Sequence, residues 1–150
     1  MLRILTPYRF WNALRLYFGF HFSKWTKQPV QRALPISVSV EPTTSCNLRC
    51  PECPSGLRSF TRPTGMMEMD LFRKMTDEMK SHVLYMNFYF QGEPFLHPEL
   101  TKMFRYAHEQ KIFTSTSTNA HYLDEAMSKR VVESGLDRMI ISIDGTTQET

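Results

Sequence analysis

Cysteine is scarce in this chain of 150 residues: there are three, and none lies outside residues 46–53. With no cysteine elsewhere there is no disulfide framework to build, so a reducing, cytoplasmic setting is expected over a secreted one. Acid is missing altogether from residues 1–40, which hold Arg3, Arg9, Arg15, Lys24, Lys27 and Arg32. The formal net charge of +3 therefore averages a basic amino-terminal segment with an acidic remainder. No basic face beyond that segment suggests nucleic-acid binding. No apolar run reaches the roughly 18–20 residues of a transmembrane helix. The amino-terminal segment also lacks an uninterrupted apolar core and a small-residue cleavage site, so a secretory signal is not expected.

What is present is concentrated in Cys46-Asn47-Leu48-Arg49-Cys50-Pro51-Glu52-Cys53, a C-x3-C-x2-C spacing. Three thiolates on one short loop suit a soft metal centre. An electron-transfer 4Fe–4S cluster takes four cysteines, so here one iron would keep a position for a substrate or cofactor. Zinc is the competing reading, since C-x2-C is common in zinc sites. A structural zinc site is closed by four ligands. The fourth would have to come from His21, His82, His97, His108 or His121, and none lies at a zinc-finger spacing. A chance gathering of thiols is the remaining alternative.

Around this loop the pattern alternates. Residues 1–34 mix aromatics (Tyr8, Phe10, Trp11, Tyr17, Phe18, Trp25 among them) with the basic residues, and a short amphipathic helix is expected near 8–22. Three readings of this basic aromatic extension stand: it packs its aromatics on the main domain, it lies on a membrane surface, or it is a targeting segment. The main domain is expected over 35–150. Ile36–Glu41 alternates and is β-branched, which predicts a strand, with the cysteine loop at its carboxyl end. A helix follows near 68–80, with Leu71, Phe72, Met75 and Met79 as its apolar stripe. Val83–Phe90 reads as a strand buried on both faces, ending in Gln91-Gly92-Glu93-Pro94. There Gly92 lets a ligand approach the backbone, and Glu93 sets a carboxylate able to accept from an ammonium group. A plain turn is the other reading.

Leu100, Met103, Phe104 and Ala107 mark the next helix; Ile112–Thr118 a third strand ending in Asn119; Leu123, Ala126, Met127 and Val131 a third helix; and Met139–Ile143 a fourth strand. His97 is expected as a cap or loop residue. Arg58 and Arg62 are expected as solvated loop arginines. Asn119 reads as a turn residue or a ligand contact, and Ser142 and Asp144, two apart on a strand, as a terminus or a polar ligand contact. Thr146 and Glu149 have capping-box spacing, which predicts the start of a fourth helix. Strand–helix alternation of this kind predicts an α/β fold with parallel strands and right-handed crossovers.

The cysteine loop resembles that of the radical S-adenosylmethionine (SAM) enzymes, whose C-x3-C-x2-C signature it matches without insertion. The Gly92-Glu93-Pro94 turn is similar to their Gly-Gly-Glu-Pro motif, with Gln91 in place of the first Gly. Glu52 stands where many members carry an aromatic before the third cysteine. The pattern looks most like the SPASM-like/MoaA-like branch of peptide- and protein-modifying enzymes. The resemblance covers about residues 36–149. It implies a partial TIM-like (β/α) barrel, here expected to be truncated after the fourth strand, as an incomplete or naturally shortened product. It implies a 4Fe-4S cluster on Cys46, Cys50 and Cys53. It implies that S-adenosyl-L-methionine is held by Gly92, Glu93, Asn119, Ser142 and Asp144. The implied activity is reductive cleavage of SAM to a 5′-deoxyadenosyl radical that takes hydrogen from a substrate, a small molecule or a peptide or protein. An electron donor such as flavodoxin or ferredoxin is implied as a partner. An iron–sulfur carrier or sensor, or an inactive fragment, are the alternatives.

Overall fold

The structure, a computed structural model, describes residues 3–143. Asp144 and the capping-box residues Thr146 and Glu149 lie outside the described residues. Four strands, β1 (Ser37–Ser39), β2 (Tyr85–Asn87), β3 (Phe113–Thr118) and β4 (Arg138–Ile141), form one parallel sheet in the order β1-β2-β3-β4. Helix α1 (Pro7–Thr26) precedes the sheet, and α2 (Pro54–Leu57) is a single turn after the cysteines. The crossovers carry α3 (Met69–Met79), α4 (Leu100–Glu109) and α5 (Glu125–Glu133). Each strand therefore meets its sequence neighbour through a helical crossover, as the alternation predicts, with the single turn α2 added between β1 and β2.

The core lies between the sheet and α3 and α4. On α4 the buried residues are Leu100, Met103, Phe104 and Ala107, the predicted stripe. They meet Met86 and Phe88, and the Phe88 ring packs edge-on to Phe104 with centroids 4.9 Å apart and tilted to Phe72 at 5.6 Å. Offset and edge-on pairs of this kind add to the area they bury. Truncating any of these three rings to alanine should destabilise by about 3–5 kcal/mol.

Several expectations are corrected. Of the expected α3 stripe only Leu71 is exposed: Phe72 is buried and Met75 and Met79 pack half-buried against the core, joined by Met69 and Thr76. The regular strands are shorter than predicted. Pairing does run on at their margins, with Val40 N donating to Asn87 O at 2.8 Å and Phe88 N to Ser115 O at 2.7 Å, but the chains then part to enter loops. Phe90 is 74% exposed, so β2 is not followed by further buried strand. Nor is β2 buried on both faces. Met86 and Phe88 face the helices, while Tyr85 and Asn87 are only half-buried on the other side. On that other side the register sets Ser39, Asn87 and Ser115 in one row. Asn87 Oδ1 and Ser115 Oγ there are buried without a hydrogen-bond partner.

Helix α1 is longer than predicted. Thr6 caps it, its hydroxyl accepting from Arg9 N at 3.3 Å, with Pro7 at the first helical position. It docks through polar groups. Arg9 is buried, and its guanidinium donates to the carbonyls of Lys80, Gln110, Lys111 and Ile4. Lys80 and Gln110 are the residues that end α3 and α4, so one cation serves two negative helix ends. Asn12 exchanges two 2.9 Å hydrogen bonds with the Leu34 backbone, and Val30 N donates to Ser23 Oγ at 2.8 Å. These bonds fold residues 27–34 back along the helix. The aromatics do not pack on the main domain: Trp11, Phe18 and Trp25 are 57%, 63% and 80% exposed.

Candidate functional site

The segment from Pro42 to Glu68 leaves β1 and returns to α3 as one long loop. An isolated antiparallel bridge, Thr43 to Met66, closes it. Buried Thr43 donates its hydroxyl to Gly65 O at 3.0 Å, and Gly65 N donates to Thr44 Oγ1 at 3.0 Å. His97 adds a strut. Its Nδ1 accepts from Glu99 N, which leaves the proton on Nε2 to donate to Met67 O at 2.9 Å. It follows the 3-10 turn Pro94–Leu96, while the N-cap of α4 is Glu99, so of the two expected places His97 takes the one in the loop.

Within that frame the three cysteines occupy a hairpin-like stretch welded to the end of β2. Glu93 N donates to Ser45 O at 2.8 Å, just before Cys46. Gly92 N donates to Ser55 Oγ at 3.1 Å, just after Cys53. Gly92 has φ +79°, and a Cβ there would run into the carbonyls of Thr43 and Ser45. Only glycine meets both demands at once. Gly56 plays the same part inside the loop, where a Cβ would collide with the Cys50 backbone. Gln91 completes the weld: its Oε1 accepts from Ser55 Oγ at 2.8 Å and from the Cys53 thiol at 3.7 Å.

All three thiols are free, with Cys50 exposed and Cys46 and Cys53 half-buried. Leu48 N points at Cys46 Sγ, 3.4 Å away. The Gly56 backbone N–H, helped by the Ser55 N–H and hydroxyl against a smaller opposing effect of burial, lowers the Cys53 thiol from its ordinary value. Donors aimed at sulfur favour the thiolate, which is the form that binds metal. Among the described residues no three His, Cys, Asp or Glu side chains converge where a single ion would sit. A mononuclear zinc site needs such convergence, with every ligand about 2.0–2.3 Å from one point. A cluster gives each thiolate its own iron, so three free thiols on one short loop are a donor set whose chemistry suits a cluster.

Glu93 is 2% exposed and accepts three hydrogen bonds. Its Oε1 accepts from Thr118 Oγ1 at 2.7 Å and from Phe95 N at 3.1 Å, and its Oε2 accepts from Asn119 N at 3.0 Å. The carboxylate thus caps the 3-10 turn Pro94–Leu96 and ties it to the end of β3. A carboxylate has about four acceptor positions, so Oε2 retains one. Asn119 Nδ2 donates to Asn47 Oδ1 at 2.8 Å, inside the cysteine loop, while its Oδ1 accepts from His121 N at 3.1 Å. Glu93, Gly92 and Asn119 are therefore one connected group with the thiols. Ser142 lies at the carboxyl end of β4, where its N–H donates to Thr118 O at 3.0 Å, and it is exposed. Asp144 lies outside the described residues.

Sequence reasoning did not single out Asn47, Ser55, Gln91 or Thr118. Ser55 and Gln91 had a signal in their nearness to Cys53 and Gly92; Thr118 had only its place as the last residue of β3. Arg62 is an exposed loop arginine, as expected, and it is also paired. It pairs with Glu41 at 2.7 Å and its guanidinium lies 4.8 Å over the Phe60 ring. A cleft of about 350 Å³ opens here, lined by Thr44, Ser45, Cys46, Ser55, Arg58 and Arg62.

The family model described as the radical SAM superfamily matches residues 40–150. Over 108 residues the chain is 30% identical to a PqqA peptide cyclase of Granulibacter bethesdensis, covering 72% of this chain and 29% of that protein. It is 33% identical over 107 residues to a tungsten-containing aldehyde ferredoxin oxidoreductase cofactor-modifying protein of Pyrococcus furiosus, covering 70% of this chain and 30% of that protein. Among solved structures it is similar to BtrN in complex with AdoMet and 2-DOIA, with TM-score 0.67 and 24% identity over 78% of this chain and 49% of that one. That likeness is one of fold. The chain thus spans 29–30% of the length of these curated relatives.

Proposed function

Since the chain belongs to the radical SAM superfamily, a family of enzymes, we propose that Cys46, Cys50 and Cys53 hold a 4Fe-4S cluster whose fourth iron binds S-adenosylmethionine. When bound, that pair supplies the chemistry of the family: an electron from the cluster cleaves SAM to methionine and a 5′-deoxyadenosyl radical, which takes hydrogen from the substrate. The observation that carries the reading is the double weld of Gly92 and Glu93 to Ser45 and Ser55. It ties both flanks of the loop with three free thiols to the turn that carries a buried carboxylate.

The chain's own residues do the positioning. The remaining acceptor position of Glu93 suits an ammonium group, and a buried carboxylate pairs with a cation more strongly than an exposed one. Gly92 keeps the backbone low beneath the ligand. Asn119 ties the end of β3 to the loop and presents its amide there. Ser142 and Asp144, at and after the end of β4, are assigned to a ribose hydroxyl. The side of the sheet away from the helices, with the unpartnered Asn87 Oδ1 and Ser115 Oγ, is assigned to the substrate. The relative named a PqqA peptide cyclase supports a peptide substrate. A flavodoxin- or ferredoxin-type donor and a cytoplasmic location complete the proposal.

The test is anaerobic reconstitution with iron and sulfide, then electron paramagnetic resonance of the reduced protein with and without SAM. A cluster signal that shifts on adding SAM is expected. A signal indifferent to SAM would mean an iron–sulfur carrier or sensor, and zinc uptake with no cluster would overturn the reading. Alanine at Cys46, Cys50 or Cys53 should abolish cluster assembly; full iron occupancy in such a variant would sink the ligand assignment.

A further inference from the structure

Helix α1 is amphipathic the wrong way round for a soluble surface helix. A helix packed on a domain turns its apolar stripe inward. Here successive residues turn by about 100°, and Phe10, Trp11, Tyr17, Phe18, Phe22 and Trp25 fall on one half of the circumference, all of them exposed. The half turned to the protein carries Arg9, Asn12 and Ser23, each with a hydrogen bond to backbone elsewhere. So the polar residues make the tether, and the aromatics are left as a contiguous outer surface. An exposed aromatic patch of this size marks an interaction face.

The surrounding charge selects the occupant. Residues 1–40 contain no acid. Arg15 and Lys24 flank the aromatic surface, and Lys27 follows at the end of the helix. A second copy of this face would bring these cations against their own kind. An anionic bilayer meets both features together: aromatic rings enter the headgroup boundary, and lysine and arginine pair with phosphate. No helix among the described residues is long and apolar enough to cross a membrane, so the helix would lie in the plane. We propose that the outer face of α1 is a docking surface for an anionic phospholipid membrane.

The orientation follows from the tether. Arg9 binds the carboxyl ends of α3 and α4, which lead into the amino ends of β2 and β3. The cysteine loop lies at the opposite, carboxyl ends. With α1 on the membrane, the thiols and Glu93 face away from it into solution.

The only two tryptophans of the chain, Trp11 and Trp25, both lie on this face, so intrinsic fluorescence reports it alone. Vesicles of phosphatidylcholine containing phosphatidylserine should shift the emission to shorter wavelength and carry the protein down on sedimentation. Pure phosphatidylcholine should do so at least about tenfold less well, and high salt should release the protein. Phe18→Ala with Phe22→Ala, both at exposed positions and leaving the two fluorophores in place, should weaken partition at least about tenfold. Lys24→Glu should weaken it about fivefold or more on anionic vesicles. Unchanged emission with the protein left in the supernatant would overturn the proposal. Emission already at short wavelength without lipid, rising with protein concentration alongside a dimer in the ultracentrifuge, would overturn it in favour of a second copy. None of these readouts depends on a metal or on SAM.

Discussion

The two ends of the sheet are each built around one buried charge. At the carboxyl end Glu93 gathers two backbone N–H groups and the Thr118 hydroxyl. At the amino end Arg9 gathers the carbonyls of four residues. Both residues are 2% exposed; the Arg9 side chain draws three segments to one point and the Glu93 side chain two, its own turn and the end of β3. The signs match the backbone: an acid collects donors, a base collects acceptors at helix ends. The difference is in what is left over. Arg9 has spent its donors on the fold and holds a helix in place. Glu93 keeps one acceptor position, and its backbone is bonded through Ser45 to the loop that carries three free thiols, so its end has chemistry left to offer. A buried ion is an expensive way to stabilise a fold. Here the same device serves docking at one end and a site at the other.

The sharpest break in this comparison is Glu93→Ala. It orphans three buried donors at once and should lower stability by about 4 kcal/mol in urea melts, and it should abolish any SAM-dependent change in the cluster signal. A stable variant that still responds to SAM would remove Glu93 from the site. Next comes Arg9→Met, which keeps the length and removes the charge. A loss of about 3 kcal/mol is expected, with iron uptake unchanged wherever the variant remains folded. Impaired uptake in the folded variant would mean that the two ends are not separable. Gly92→Ala should cost about 2 kcal/mol through its positive φ and the collision with Thr43, and a neutral result would refute the close weld.

The smallest effect concerns His82, beside the Arg9 clasp. Burial, with repulsion from Arg9 added, holds its imidazole below the ordinary value near 6.5. The unfolded chain then binds the proton more readily than the folded one. Stability is therefore full above about 6.5 and declines as pH falls from there toward the folded value. Urea midpoints at about pH 7.5 and about pH 5.5 should converge in His82→Gln relative to the parent. Parallel losses in both proteins would show that another group titrates.

What was legible in the sequence was local. The cysteine spacing names its donors without any fold, and the α4 stripe follows from a 3.6-residue period. The order of strands follows from alternation. What was not legible depended on partners far along the chain. Nothing near Trp11 or Trp25 says that their helix docks by Arg9, because the carbonyls Arg9 needs belong to Lys80 and Gln110. Leu71 looks as apolar as Phe72, and only the direction of approach of the sheet separates them. Gln91 departs from the family's glycine, and its use as a bridge to Ser55 and Cys53 appears only once the loop has folded over it.

The strand order has a consequence for how such a site is made. Among the described residues sheet order and chain order coincide, so each strand pairs with the next one in the chain, the longest connection being the one from Ser39 to Tyr85 that carries the cysteine loop. Every anchor of the cysteine loop, from Thr43 through Gly92 and Glu93 to Asn119, precedes β4. On a ribosome, where the amino end emerges first, the thiols can be gathered on their anchored loop as soon as β3 has paired, while β4 is still being synthesised.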